Sequence, residues 1–247
     1  MNIDTYLDHI PLLHSWDGGA TWNTGGFDAP YLRFIYEIAT TELTCDRVIL
    51  ETGAGNSTIC FLLAEPKTLI SIAPDAALKH RILDYCGTHK VDVTPLFFQV
   101  EQSELALPNL ALTHDPRTLV DLALIDGNHG LPTVFVDFCY INMLLKRDGI
   151  LLLDDGPLYS VKELIRLLDG QPEFQFHSRR GKLWAFRKLT DAAFLPDFMH
   201  EPYITRMTQR DNRGGVAHSV GHPTLYTQAR NGLKQLAVLG LKLAGRR

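Results

Sequence analysis

The 247-residue chain lacks the features that mark secreted and membrane proteins. No uninterrupted apolar run approaches the roughly 18 residues that a membrane-spanning helix needs, and the first residues carry no basic segment of a secretory signal. The four cysteines, Cys45, Cys60, Cys86 and Cys139, stand singly without a CxxC pair. This spacing argues against a disulfide framework or a zinc site and favours buried thiols in a reducing compartment. These absences predict a cytoplasmic protein.

The composition excludes general disorder, because 45% of the residues are hydrophobic and only 21% are charged. That content is sufficient for one compact domain with appendages. The formal net charge of -4 is unevenly distributed, since residues 206–247 carry +7 and the preceding 205 residues carry -11. The sequence therefore combines an acidic body with a basic C-terminal segment.

Residues 47–189 alternate short apolar runs with helix-like segments, which is typical of an α/β fold with a doubly wound, mostly parallel sheet. RVILE, TLISIA, PLFFQV, VDLALI and GILLL read as buried strands, and two further strands are predicted around 174–189. We expect three regions: an N-terminal helical and loop extension (1–45), the sheet domain (46–189) and a basic C-terminal appendage (190–247).

Ligands of open α/β sheets bind outside the carboxyl ends of the strands. The residues that follow the five apolar strands are polar or small: ETGAGNS from Glu51, Ala73 to Asp75, Gln102 to Glu104, Asp126 to His129, and Asp154 with Asp155. This clustering predicts a ligand site at that edge of the sheet.

The glycine loop after the first strand permits close approach of backbone N–H groups to a ligand at a helix N-terminus. A dinucleotide fingerprint would have a third glycine near Thr58 and an acidic residue near Ala73. Both are missing, which argues against a nicotinamide cofactor. A purely structural tight turn is the other interpretation of this loop.

Three carboxylates, those of Asp126, Asp154 and Asp155, end two neighbouring apolar strands. Adjacent strands lie roughly 5 Å apart, so these groups would repel one another unless a cation offset them. Oxygen ligands suit Mg²⁺, Ca²⁺ or Mn²⁺. The alternative is that the three residues serve only as helix caps and turn residues.

His129 lies three residues after Asp126. An imidazole there is able to accept a proton from a hydroxyl group, to bind a metal, or to be an ordinary loop residue. The other histidines show no HxH or HExxH spacing, so a zinc site built from them is not expected.

Together, the loop from Glu51 to Thr58 and the IDGNH and LLLDD segments resemble class I S-adenosylmethionine-dependent methyltransferases, in particular small-molecule O-methyltransferases with IDG-x-H and DD motifs. The resemblance covers residues 46–189 and implies a Rossmann-like, seven-stranded sheet whose last strand is antiparallel. It implies the following cofactor residues: Glu51, Gly53, Gly55, Asn56 and Ser57 around the methionine part, Gln102 and Ser103 near the adenine, and Asp126 at the same site. It also implies divalent-metal binding by Asp126, Asp154 and Asp155, with Asp126 and His129 as catalytic residues.

One position departs from the family pattern. The acidic residue that usually ends the second strand and binds the ribose hydroxyls is replaced by Ala73, and Asp75 is a potential substitute. The aromatic side chains of Trp16, Trp22 and Phe27 are expected either to line the acceptor pocket or simply to pack the N-terminal extension onto the core.

The sequence thus predicts an O-methyltransferase that uses S-adenosylmethionine and a divalent metal to methylate a hydroxylated small molecule, such as a sugar or a natural-product intermediate. The alternatives are a degenerate cofactor-binding or scaffolding protein of the same fold and an NAD(P)-dependent oxidoreductase. The basic C-terminal segment is expected to pack within the chain or in a homo-oligomer, in preference to a membrane surface. Nucleic-acid binding is not expected, because the body is acidic and no reader motif is present.

Overall fold

The computed structural model describes residues 1–15, 17–42, 46–113, 120–192 and 201–213. The helices of this part of the chain are α1 (Ile3–Asp8), α2 (Ala29–Thr41), α3 (Asn56–Leu63), α4 (Ala76–His89), α5 (Ser103–Thr113), α6 (Thr133–Leu144), α7 (Tyr159–Gly170) and α8 (Pro202–Arg213). The strands are β1 (Val48–Thr52), β2 (Thr68–Ile72), β3 (Leu96–Gln99), β4 (Val120–Ile125), β5 (Leu145–Leu153), β6 (Phe174–Arg180) and β7 (Leu183–Lys188).

The strands form one seven-stranded sheet in the order β3-β2-β1-β4-β5-β7-β6. Strands β1 to β5 pair in parallel, and β7 pairs antiparallel with both β5 and β6. The predicted Rossmann-like sheet, mostly parallel with an antiparallel last strand, is confirmed. The chain moves to opposite sides of β1 to form β2 and β4, so the strand order reverses there and leaves a crevice at the carboxyl ends of these strands.

The sheet is covered on both faces, which explains why its strands are almost continuously apolar. Alternate residues of each strand point to opposite faces. Ile49 of β1 belongs to a buried cluster with residues of α2, α3 and α4, whereas its neighbour Leu50 belongs to a cluster with residues of α5, α6 and α7. The helices therefore hold the strand ends rigidly and position the loops between them.

The N-terminal extension packs onto the first of these clusters. Tyr6, Leu13 and Phe27 are buried there beside residues of α2 and α3. Residues Met1–Tyr203 form one compact unit and Ile204–Arg247 form a second, of which the structure describes the helical residues to 213. The predictions for the basic segment after residue 213 fall outside the described residues. None of the described helices is both long and apolar enough to cross a membrane.

Two details differ from the sequence-based expectations. Helix α5 was not predicted, because Pro108 interrupts its helical signal; burial of Leu107 and Leu110 against the sheet nevertheless holds the segment in place. The prediction of buried thiols is confirmed for Cys60 and Cys86 but wrong for Cys139, which is exposed on α6. Cys45 lies outside the described residues.

Candidate functional site

A cavity of about 560 Å³ lies at the carboxyl ends of the central strands. This volume is in the range of small-molecule sites. The wall of the cavity is formed by the loops that follow β1, β2, β3 and β4, together with two residues of the N-terminal extension. These lining residues are His14, Ser15, Gly53, Ala54, Ile72, Ala73, Pro74, Asp75, Leu78, Gln102, Ser103, Glu104, Asp126, Gly127, Asn128 and His129. Six predicted cofactor residues are among them: Gly53, Ala73, Asp75, Gln102, Ser103 and Asp126.

Gly53 adopts a positive φ of 85° at the point where three strands meet. Its amide donates to the carbonyl oxygen of Ile72 over 2.9 Å, and a Cβ at this position would collide with the carbonyl oxygen of Asp126. Only glycine combines this backbone conformation with so close an approach of two chain segments. The loop therefore leaves its backbone next to the cavity.

Glu51 does not line the cavity but supports the glycine loop from beneath. Its side chain is fully buried and accepts hydrogen bonds from the hydroxyls of Ser57 (2.7 Å), Thr58 (2.6 Å) and Ser71 (2.6 Å). Burial raises the pKa of this carboxyl group to about 7, against the opposing effect of the three hydroxyl donors. Glu51 and Ser57, both predicted to surround the cofactor, thus hold the shape of the loop.

Asn56 and Gly55 also lie away from the lining of the cavity. The hydroxyl of Tyr6 donates to Oδ1 of Asn56 over 2.7 Å, which connects α1 to the start of α3. Gly55 caps α3, and its amide donates to the hydroxyl of Thr58 over 3.0 Å. A Cβ at Gly55 would lie 3.8 Å from Nδ1 of His14. The sequence did not identify His14 as a site residue, because nothing in its surroundings signals contact with a loop 40 residues away.

The position after β2 combines a buried Ala73 with a half-exposed Asp75. Oδ1 of Asp75 caps α4 by accepting from the amide of Leu78 over 2.9 Å, and Oδ2 lies 3.3 Å from a guanidinium nitrogen of Arg81. Asp75 therefore supplies negative charge at the cavity wall while also stabilising a helix start.

Asp126, Asp154 and Asp155 come together at the ends of β4 and β5 as predicted, and His129 joins them. Nε2 of His129 lies 3.7 Å from Oδ1 of Asp126 and 3.6 Å from Oδ2 of Asp155. Asp154 is 1% exposed, and its Oδ1 has no hydrogen-bond partner among the described residues. Asp155 adopts a positive φ of 53°, a conformation that Asp tolerates better than most residues.

The electrostatics of this acidic cluster follow from burial and mutual proximity. Burial raises the pKa of Asp126, and the carboxylate of Asp154 raises it further. Burial disfavours the charged form of His129, but the carboxylates of Asp126, Asp155 and Asp154 outweigh it and raise the pKa of the imidazole. The cluster therefore attracts protons or other cations.

Donor atoms of Asp126, His129 and Asp154 all lie within 4.8 Å of one another, as a metal site requires. This set differs from the predicted one, because His129 takes the place of Asp155. The set combines imidazole and carboxylate donors, which suit Mn²⁺ and other divalent first-row ions as well as Mg²⁺. With the unpartnered Oδ1 of buried Asp154 as one donor, the residues present fit a divalent cation.

Lys182, which sequence reasoning missed, contributes a positive charge to the same cluster. Its ammonium group lies 2.8 Å from Oδ2 of Asp154 and 3.0 Å from Oδ1 of Asp155. It lies in the tight turn between β6 and β7, and no motif marks it as part of the site.

Of the aromatic residues predicted to wall an acceptor pocket, Trp22 and Phe27 are not among the described residues that line this cavity. Phe27 is buried and packs against Tyr31, which supports the alternative prediction that it anchors the extension. Trp22 is 39% exposed, and the guanidinium of Arg81 lies 6.0 Å from its ring centre. Trp16 lies outside the described residues.

Residues 50–156 match a family model described as a methyltransferase domain. No curated protein matches the sequence. The matched segment contains the glycine loop and the three carboxylates of the acidic cluster.

Solved structures share the fold at low sequence identity. One is described as a putative caffeoyl-CoA O-methyltransferase from Staphylococcus aureus, with a TM-score of 0.53, 13% identity, and coverage of 77% of this chain and 93% of that one. A second, a putative RNA methyltransferase from Pyrococcus horikoshii, has a TM-score of 0.53 and 12% identity and covers 76% of this chain and 94% of that one. A third, a putative methyltransferase from Streptococcus mutans in complex with S-adenosylhomocysteine, has a TM-score of 0.50 and 13% identity over 64% and 97% of the two chains. The family match and the fold support a methyltransferase, and acceptors as different as those named show that the fold alone does not select the acceptor.

Proposed function

We propose that this protein is an S-adenosylmethionine-dependent O-methyltransferase that acts on a hydroxylated small molecule with the help of a divalent cation. The methyltransferase match and the fold support the cofactor. The observation that carries the choice of an oxygen acceptor is the acidic cluster beside the cavity, because such a site serves to bind and activate an acceptor hydroxyl. Sugars and natural-product intermediates are acceptors of this kind.

The cavity fits the proposed cofactor. Gly53 lines the cavity and packs so closely against Asp126 that a Cβ cannot be accommodated, and Asp75, Gln102 and Ser103 supply polar groups along the wall. S-adenosylmethionine, when bound, supplies a methyl group that its sulfonium already activates. The task of the chain is then to hold the acceptor oxygen in line with that methyl group.

Asp126, His129 and Asp154 would hold the divalent cation. With Lys182 charged and His129 neutral, the three carboxylates leave a net charge of -2 in the cluster, which matches one divalent ion. Such a cation lowers the pKa of a hydroxyl group placed beside it.

Two further tasks are to hold the cation's ligands in place and to remove the proton of the acceptor. In this arrangement His129 is a ligand, and its carbonyl oxygen accepts a hydrogen bond from the hydroxyl of Ser160, which fixes its loop to α7. The acceptor hydroxyl loses its proton to water at the open side of the cluster, where Asp155 is 31% exposed. In the alternative assignment, His129 is the general base and the cation is bound by Asp126, Asp154 and Asp155.

Calorimetric titration of the purified protein with S-adenosylhomocysteine, with and without Mg²⁺, tests the proposed function. Binding of the nucleoside is expected in both conditions, because the cavity wall near Gly53 does not depend on the cation. The variant Asp126→Asn is a suitable comparison, since it should weaken Mg²⁺ binding more than nucleoside binding. Absence of any nucleoside binding to the wild-type protein would contradict the proposal.

A further inference from the structure

Lys182 connects three parts of the chain at the acidic cluster. Its ammonium group donates to Asp154 and Asp155, and also to the carbonyl oxygen of Gly25 in the N-terminal extension over 2.9 Å. The aromatic rings of Phe27 and Tyr31 lie 5.3 and 5.9 Å from it. Only 18% of the side chain is exposed, so this ammonium group is held in a formed site.

The backbone around Lys182 is fixed as firmly as its side chain. Its carbonyl oxygen accepts from the amide of Gly156 over 2.9 Å, which fastens the hairpin to the loop after β5. The preceding Gly181 has a positive φ of 54°, and a Cβ there would collide with the hydroxyl of Tyr31. Lys182 therefore reaches the carboxylates from a tight turn that leaves little freedom to withdraw.

We propose that Lys182 is an internal counter-cation that sets the charge of the acidic cluster and thereby its affinity and selectivity for metal ions. This inference rests on the proposed function only in its metal site. Oδ2 of Asp154 and Oδ1 of Asp155 bind the ammonium group, while Oδ1 of Asp154 is left without a hydrogen-bond partner. The lysine thus engages one oxygen of each carboxylate and leaves Oδ1 of Asp154 to a second cation.

The net charge of the acidic cluster determines how Lys182 should affect metal binding. When all three carboxyl groups are ionised, as metal ligands must be, one fixed positive charge reduces their net charge from -3 to -2, which favours a divalent over a trivalent ion. The lysine also repels an incoming cation. Removing its charge should therefore increase metal affinity, and the increase should be larger for a trivalent ion.

The test compares the full-length variants Lys182→Met, which removes the charge, and Lys182→Arg, which keeps it. Affinities for Mn²⁺ are measured by calorimetry and affinities for Tb³⁺ by luminescence, both near pH 8. Lys182→Met should bind Mn²⁺ at least about fivefold more tightly than the wild type and gain more for Tb³⁺. Lys182→Arg should remain within about threefold of the wild type for both ions, because the charge is retained.

Equal or weaker Mn²⁺ binding by Lys182→Met, or no Mn²⁺ binding by any of these proteins, would overturn the proposal and make Lys182 a purely structural ion pair. Lys182→Gln provides a second neutral variant if Lys182→Met does not fold. S-adenosylhomocysteine binding is measured on the same samples. If the wild type binds the nucleoside but the substitutions at Lys182 leave metal affinity unchanged, the counter-cation proposal is refuted and the methyltransferase proposal stands. If metal affinity depends on Lys182 as expected but the nucleoside does not bind, the methyltransferase proposal is refuted and the counter-cation proposal stands.

Discussion

The hydroxyl of Tyr6 donates to Oδ1 of Asn56 over 2.7 Å, although 50 residues separate them in the sequence. Nδ2 of Asn56 in turn donates to the carbonyl oxygen of Pro11 over 3.3 Å. The first residue of α3 is therefore tied to the N-terminal extension at two points. This contact makes the extension part of the support of the glycine loop.

Replacing Tyr6 by Phe removes the buried hydroxyl and leaves Asn56 without that donor. We expect the free energy of unfolding to fall by about 1–2 kcal/mol, measured by urea denaturation. Tyr85→Phe is the matched control, because the Tyr85 hydroxyl is exposed and, among the described residues, hydrogen-bonds only the sulfur of Met1 at 3.7 Å. Equal effects of the two substitutions would show that the Tyr6 hydrogen bond does not stabilise the fold.

The substitution Gly53→Ala should abolish nucleoside binding and lower the free energy of unfolding by at least about 2 kcal/mol, since both the positive φ and the contact with Asp126 oppose a side chain. Gly87→Ala, on α4 with open space around it, should be neutral or slightly stabilising. Thermal unfolding and calorimetry with S-adenosylhomocysteine provide the two readouts. An alanine at position 53 that preserves both properties would refute the close approach described above.

Glu51 should make stability depend on pH. Burial raises its pKa from 4.5 to about 7, so the folded state binds a proton more tightly than the unfolded state. The resulting contribution to stability is present below pH 4.5 and is lost as the pH rises through 7, with a total of about 3 kcal/mol.

Denaturant unfolding of the wild type and of Glu51→Gln at several pH values between about 4.5 and 8 measures this effect. The variant has no proton to release at this position and should lack that part of the decline. The exposed Glu65→Gln variant should follow the wild-type curve. An equal change with pH in the wild type and in Glu51→Gln would mean that burial does not raise the pKa of Glu51 as described.

Asp75 has a helix-capping role and a proposed cofactor role that two substitutions separate. Asn caps helices as well as Asp does, so Asp75→Asn should change stability by less than about 0.5 kcal/mol. If the carboxylate binds the ribose hydroxyls, the same variant should bind S-adenosylhomocysteine about tenfold more weakly, since hydrogen bonds to a charged group contribute about 1.5 kcal/mol or more.

Asp75→Ala should lose both nucleoside affinity and about 1 kcal/mol of stability. An Asp75→Asn protein with unchanged nucleoside affinity would restrict Asp75 to the helix cap.

The substitution His129→Ala distinguishes the two proposed roles of His129, metal ligand and general base. A metal ligand at this position predicts at least about tenfold weaker Mn²⁺ binding by calorimetry, whereas a general base predicts unchanged Mn²⁺ affinity. The exposed His80 on α4 provides a control substitution that should leave the affinity unaltered. Retention of full Mn²⁺ affinity would mean that His129 acts as the proton acceptor and that the three carboxylates bind the cation.

The sheet and the edge at which the site lies could be predicted because both depend on local patterns. Apolar runs identify strands, and the rule for open α/β sheets places Asp126 and Asp154 together. The partners of these residues could not be predicted, because they depend on long-range packing. Lys182 follows Asp155 by 27 residues and reaches it only through the hairpin of β6 and β7. The hydroxyl partners of Glu51 could not be predicted either, because its motif does not reveal that Ser57, Thr58 and Ser71 donate to its oxygens.

The position of β7 determines the order in which the parts of the site are assembled during synthesis. This strand is the last of the sheet in the chain, yet it lies between β5 and β6. A nascent chain that has emerged as far as Gly156 contains all three carboxylates but not Lys182, and the edge of β5 is still open to other chains. Synthesis from the N-terminus therefore completes the acidic part of the site first. The negative charge of the cluster is partly offset only when the hairpin of β6 and β7 joins the sheet. A chain interrupted before residue 182 therefore lacks both strand β7 and the lysine of the site.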